Sequence, residues 1–315
     1  MTLRNYELNM IPKYEKLFDN ELKEFIRTSE SFAAKSVSGS VEEMRQSYNE
    51  MVNHFKQARS QNVQVEDKKV EFKERSLTYR RYSKNSDDKS DLIYFHGGGF
   101  VLGGLESHDD ICAEICERTG CTVFSLDYSL APEIKYPEFF LDAIRFYYFI
   151  KNPDRRLIVI GDSAGGTLAA FVSNKVRNIA IRPEAQVLIY PDLAGQIRGP
   201  NKRKFSDAPL LTEDDIDFYH KCACLPLEKG LHDLIKSFDH DNTPNTLLVN
   251  AEIDPLGEDC HIYLDILKKH GCDVTFLEGL GLPHGFLRAR HLSKKARIVF
   301  DDIIKFIIQT KQNNV

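Results

Sequence analysis

Apolar side chains recur every three or four residues near the start of the chain: Met10, Tyr14, Phe18, Leu22 and Phe25 share one helical face. A second stripe, Met44, Tyr48, Met51 and Phe55, follows Ser40 and Glu43, a capping-box pair that predicts a helix start there. After residue 62 the period shortens to that of strands. Residues 63–70 and 71–82 read as a hairpin or meander, with a polar loop at 83–90. From Asp91 onward, apolar runs at 92–95, 121–126, 157–160, 187–190, 246–250 and 274–277 alternate with helical segments beginning near Ser107, Pro137, Ser163, Gly257 and Leu292. Each connection is of crossover length, so the runs predict a mostly parallel sheet flanked by helices. The stretch 193–236 is too long for one crossover. With Pro200, Pro209 and a predicted helix at 212–222, it reads as an insertion over the carboxyl edge of the sheet.

Composition narrows the partners. The chain has 315 residues, 42% hydrophobic and 28% charged, with a formal net charge of −5. The mixed signs offer no basic footprint for nucleic acid or an anionic membrane surface, which leaves small neutral ligands as the expected partners. The longest apolar segment, 139–150, is broken by Asp142 and Arg145 and is too short to span a bilayer, so it reads as a buried helix face. No apolar leader follows Met1, which predicts a cytoplasmic protein. The seven cysteines show no disulfide framework and are expected as free thiols. Cys112 and Cys116 lie a helical turn apart, and His220, Cys222 and Cys224 are conceivable metal ligands. No further cluster completes a four-ligand set, so no metal or cofactor is expected.

The sharpest chemical signal is Gly161-Asp162-Ser163-Ala164-Gly165-Gly166, directly after an apolar strand. It puts Ser163 on a strand-to-helix corner, where small flanking residues avoid collision and the hydroxyl is presented as a nucleophile. Such a serine needs a base, a group that orients the base, and donors for the oxyanion. Of four late histidines, His261, His270 and His291 fall in predicted helices, whereas His284 sits in the turn Gly281-Leu282-Pro283-His284-Gly285 after the last strand. His284 is therefore the expected base. Asp254, after the strand at 246–250, is the expected orienting acid, although an aspartate before Pro255 also suits a helix start. His96-Gly97-Gly98-Gly99-Phe100 ends the strand at 92–95, and Gly97, Gly98 and Ala164 are expected to supply three amide donors to the oxyanion. His96 is expected to brace that loop. Neither a phosphate-loop lysine nor a dinucleotide fingerprint accompanies the glycines.

Together, HGGGF at 96–100, GDSAGG at 161–166, the segment 127–133, Asp254-Pro255-Leu256 and His284-Gly285-Phe286 resemble the hormone-sensitive-lipase-like α/β hydrolases, in the branch of bacterial acetyl esterases and short-chain carboxylesterases. The resemblance spans residues 92–286. It implies an α/β-hydrolase fold with a mostly parallel eight-stranded sheet, an amino-terminal helical cap, and Ser163, Asp254 and His284 as the catalytic set. It further implies that Tyr128, Pro132, Glu133 and Pro137 brace the floor of the site, and that a homodimer is compatible with the family. The family's aspartate two places after the Asp-Pro-Leu run is Glu258 here, with Asp259 next, which leaves the local support of Asp254 open. The chain then divides into a helical cap segment at 1–60 and a catalytic domain at 61–315, in which 193–236 is a second cap segment. The expected activity is hydrolysis of short-chain acyl esters through an acyl-serine. An acyltransferase or amidase would use the same triad, and a ligand-binding receptor on this fold would lack the catalytic histidine.

Overall fold

A computed structural model describes residues 12–36, 39–73, 75–85, 88–194, 204–227 and 229–312. Met10 and Pro200 lie outside the described residues. Eight strands form one sheet in the order β1-β2-β4-β3-β5-β6-β7-β8. They are β1 (Gln64–Phe72), β2 (Arg75–Ser83), β3 (Ser90–Phe95), β4 (Thr122–Asp127), β5 (Arg156–Asp162), β6 (Ala185–Ile189), β7 (Asn245–Ile253) and β8 (Val274–Pro283). β2 runs antiparallel to both β1 and β4, and every other neighbouring pair is parallel. This is the mostly parallel sheet expected from the alternating pattern, with the eight strands of the α/β-hydrolase fold that the resemblance implied. The central strands are buried on both faces, as unbroken apolar runs such as 92–95 and 157–160 require.

Helices α4 (Asp109–Thr119), α5 (Glu138–Ile150), α6 (Ala164–Val176), α8 (Gly257–Lys269) and α9 (Lys294–Gln312) cover the two faces. They start within two residues of the expected points. The 139–150 run is α5, with Phe139, Phe140, Ala143, Phe146 and Tyr147 buried. Among the late histidines, His261 lies inside α8, but His270 only caps it and His291 sits in the turn before α9, so the expectation that all three lie within helices is corrected. The turn there is closed by Ser293, whose hydroxyl accepts the Ala296 amide and delays the helix start.

Before the sheet come α1 (Pro12–Glu15), α2 (Asn20–Ala33) and α3 (Val41–Phe55). Ser40 accepts the Glu43 amide at 3.2 Å and starts α3 where the sequence pattern puts it. Tyr14, Phe18, Leu22, Phe25 and Ile26 join one buried cluster with Leu282, Phe286 and Phe300. Burying a large apolar side chain contributes roughly 1.5–3 kcal/mol. Helix α2 is thus a core element as much as a cover. Helix α3 is tied down differently: Arg45 donates to the carbonyls of Val101 and Ala131 and pairs with both carboxylate oxygens of Glu133, each at 2.8 Å. In the inserted stretch, α7 (Glu213–Ala223) begins with a full capping box between Thr212 and Asp215. No helix among the described residues is long and apolar enough to cross a membrane.

Candidate active site

Four loops carry the site, and each leaves the carboxyl end of a strand: His96 and Gly97 follow β3, Ser163 follows β5, Asp254 follows β7 and His284 follows β8. Ligand sites in open α/β sheets form at that edge. Ser163 has φ +53° and ψ −124°, a backbone conformation that L-residues rarely adopt. Its amide bonds to the Ile189 carbonyl at 2.8 Å, which fixes the corner against β6. The need for glycine is acute at Gly165, where an added Cβ would lie 2.0 Å from the Phe95 carbonyl oxygen.

His284 Nε2 stands 3.0 Å from Ser163 Oγ, and His284 Nδ1 stands 2.6 Å from Asp254 Oδ2. The other oxygen of Asp254 accepts the Leu256 amide at 2.8 Å. Asp254 therefore does both things the sequence allows, bonding the start of the turn before α8 and facing the imidazole. It is fully buried, while His284 keeps a small exposed edge. Tyr190, just after β6, packs its ring on His284 with centroids 4.8 Å apart. Nothing in the sequence marks Tyr190 for this place except its position at a strand end. The remaining late histidines bond elsewhere: His261 lies beside Glu278, His270 beside Asp241 and His291 beside Glu114. Asp259 accepts the Ala194 amide at 3.1 Å and secures the loop after β6.

The glycine loop requires one correction. Gly97 donates its amide to Asp162 Oδ1 at 3.1 Å and does not line the cavity over Ser163, so it is not available as an oxyanion donor. Gly98 and Gly99 line that cavity together with Ser163 and Ala164. Three consecutive glycines signalled a bare amide array but not which amides faced inward. His96 does brace the loop, with Nδ1 2.9 Å from the Gly97 carbonyl oxygen and its ring stacked on Tyr128 at 4.2 Å. Burial and the nearby His108 push its pKa down to about 3, so it is neutral and its Nδ1–H can donate to that carbonyl. Tyr128 in turn donates to the His96 carbonyl at 2.7 Å, the floor-bracing role that the resemblance implied. Glu133 instead faces α3 and holds Arg45.

Sequence reading passed over Asp162. Its buried carboxylate accepts from Tyr94 at 2.8 Å as well as from Gly97, and His108 Nε2 lies 3.3 Å away. Burial alone would raise its pKa. The charge of His108, hydrogen bonds from His108 and Tyr94, and the charge of Arg288 outweigh that and bring it down to about 2.

Over the serine lies a cavity of about 1190 Å³. Helices α2 and α3 contribute Phe25, Phe32, Met44, Tyr48 and Met51, and the 204–227 region contributes Leu210, Leu211, Ile216 and Tyr219. His220 of α7, considered above as a metal ligand, instead approaches Asp192 Oδ2 at 2.5 Å and ties α7 to the loop after β6. All seven cysteines are free thiols.

The sheet order, the serine corner and the imidazole that faces it define an α/β hydrolase. The sequence profile of a family described by the alpha/beta hydrolase fold matches residues 92–288, and the chain belongs to that family, in its hormone-sensitive-lipase-like part. An ethyl acetate hydrolase of Pseudomonas putida is 29% identical over 258 residues, covering 76% of this chain and 79% of the relative. An acetyl esterase of Salmonella typhi is 32% identical over 238 residues, covering 71% of this chain and 73% of the relative. The solved structure of a Pyrobaculum calidifontis esterase matches with a TM-score of 0.79 at 27% identity, covering 86% of this chain and 93% of that one.

Proposed function

We propose that this protein is a serine carboxylesterase acting on short-chain acyl esters, with Ser163 as nucleophile, His284 as base and Asp254 as the acid that orients it. The observation that carries the reading is the continuous path from Ser163 Oγ to His284 Nε2 at 3.0 Å and from His284 Nδ1 to Asp254 at 2.6 Å, opening into an apolar cavity. In the first step His284 takes the hydroxyl proton as Ser163 attacks the ester carbonyl. The amides of Gly98, Gly99 and Ala164 receive the developing oxyanion, the alcohol leaves with the proton from His284, and water then repeats the sequence on the acyl-serine. This chemistry runs on side chains and backbone amides alone.

The segments 1–60 and 193–236 act as a two-part cap that shapes the substrate cavity, a reading supported by the lining residues drawn from α2, α3 and α7. A panel of nitrophenyl esters from acetate to decanoate, with wild type and Ser163→Ala side by side, tests the proposal. Turnover should be highest for the short acyl chains and absent in the variant; equal activity in both proteins would remove Ser163 from the mechanism. Added alcohol or amine that diverts the acyl group would identify a transferase instead.

A further inference from the structure

Among the described residues, Arg288 is the one arginine or lysine that lines the cavity. Its side chain is only 7% exposed, and Nη1 is buried without a hydrogen-bond partner. The nearest carboxylate oxygen, Asp110 Oδ1, is 3.6 Å away. Oδ2 of that carboxylate accepts from Arg290 at 2.6 Å and from the Gln57 amide at 3.4 Å, while Oδ1, also without a hydrogen-bond partner, faces Nη1 as a loose ion pair too long for a hydrogen bond. Arg290 has a second partner in Glu114 at 2.9 Å. Asp162, whose charge also reaches Arg288, is occupied by Tyr94, Gly97 and His108. A desolvated guanidinium with unmade hydrogen bonds is unfavourable unless an anion completes it.

The fold brings this cation to the cavity that Ser163 and His284 also line. Arg288 is four residues past His284, on a 3-10 helix (Phe286–Ala289), and its amide bonds the Gly285 carbonyl at 3.1 Å. Its charge is felt by Tyr48 of α3 and by Tyr190, the residue packed on His284. The cavity is far larger than an acetyl group needs, so a substrate anchored at Ser163 has room to extend.

We propose that Arg288, with the Tyr48 hydroxyl beside it, forms a carboxylate subsite, and that the substrates are esters carrying a second, ionised carboxylate. The planar fork of a guanidinium suits a carboxylate. The negative fields of Asp110 and Asp162 favour a monoanion over a phosphate dianion. The inference rests on the esterase reading above.

Two matched pairs of substrates test it. Monoethyl succinate against ethyl levulinate puts the carboxylate or its neutral ketone counterpart on the acyl side, and 4-acetoxybutanoate against 5-acetoxypentan-2-one puts it on the alcohol side. Wild type should favour the charged member of one pair by roughly 10- to 100-fold in kcat/KM, the range for a charge-assisted hydrogen bond. The favoured pair tells on which side of the ester the carboxylate lies. In Arg288→Gln the ratio should collapse toward one. Turnover of both ketones with no preference for either charged partner overturns the subsite, as does a preference that survives in Arg288→Gln. Should that variant not fold, competition in wild type decides: succinamate should inhibit nitrophenyl acetate hydrolysis and succinamide should not, and equal inhibition overturns the proposal. Failure to turn over any ester, nitrophenyl acetate included, defeats the esterase reading itself and this inference with it.

Discussion

The carboxylate of Asp162 accepts the amide of Gly97 at 3.1 Å, joining the residue before Ser163 to the glycine loop that faces it across the sheet edge. Tyr94 donates to the same oxygen from β3, and a Cβ on Gly97 would lie 2.5 Å from Oδ2. The serine corner and the glycine loop are therefore held by one buried anion, and the first glycine of the run serves as its ligand while the next two face the cavity.

Asp162→Asn should separate that anchoring from general stability. The native carboxyl is depressed to about 2 from an ordinary 3.8, so its contribution is fully present above pH 4 and is lost as pH falls through about 2. A shift of this size corresponds to about 2 kcal/mol. Urea melts of wild type and Asp162→Asn should differ by that order at pH 5, and the gap should narrow as the pH is lowered below about 4. At neutral pH the variant should lose roughly tenfold in kcat through a looser glycine loop. A gap that widens in acid would contradict the assignment.

Replacing Ser163 tests strain and chemistry together. Ser163→Ala should reduce ester turnover on the order of 10⁴-fold or more. Ser163→Gly should be equally inactive but more stable by about 1 kcal/mol, because glycine adopts φ +53° without a Cβ penalty. Calorimetry on the three proteins would show the glycine variant melting highest.

Asp254→Asn keeps the shape of the side chain but removes the charge that faces His284 Nδ1 at 2.6 Å. By analogy with the serine-protease triad, kcat should fall on the order of 10³- to 10⁴-fold with little change in KM. Full activity with a lowered Tm would reduce Asp254 to its bond with the Leu256 amide.

Arg45 should matter more than its ionic partner. Glu133 is 59% exposed, so their ion pair contributes little, whereas the bonds to the Val101 and Ala131 carbonyls tie α3 to two loops around the site. Arg45→Ala should raise KM and speed proteolytic cleavage near α3, with a stability loss of about 1 kcal/mol. Glu133→Gln should leave both nearly unchanged.

The sheet was legible in sequence because β3, β5, β6 and β7 are apolar runs bounded by turns; Ser163 and Asp254 could be singled out because each follows such a run, and His284 because it sits in the glycine- and proline-marked turn after β8. Helix α7 was legible as a helix over 212–222, and Thr212 caps its start locally. What escaped were properties of packing. Periodicity could not tell that α2 enters the core with Phe286 and Phe300, since a buried face and a lid face share one pattern. Nor could it tell which of three glycine amides turns inward, because that depends on Asp162, 65 residues away. Tyr190 and Arg288 carry no motif at all and gain their places from the chain ends of β6 and β8.

The walls of the cavity and its reactive floor belong to different parts of the chain. Ser163, Asp254 and His284 ride on strand ends buried in the sheet, whereas Phe32, Met44, Met51, Leu210 and Tyr219 come from helices and loops laid over it. Mutational drift in those outer segments can therefore retune which molecules are admitted while the reaction apparatus stays untouched. A library confined to the five wall positions is a direct route to new selectivity on an unaltered machine.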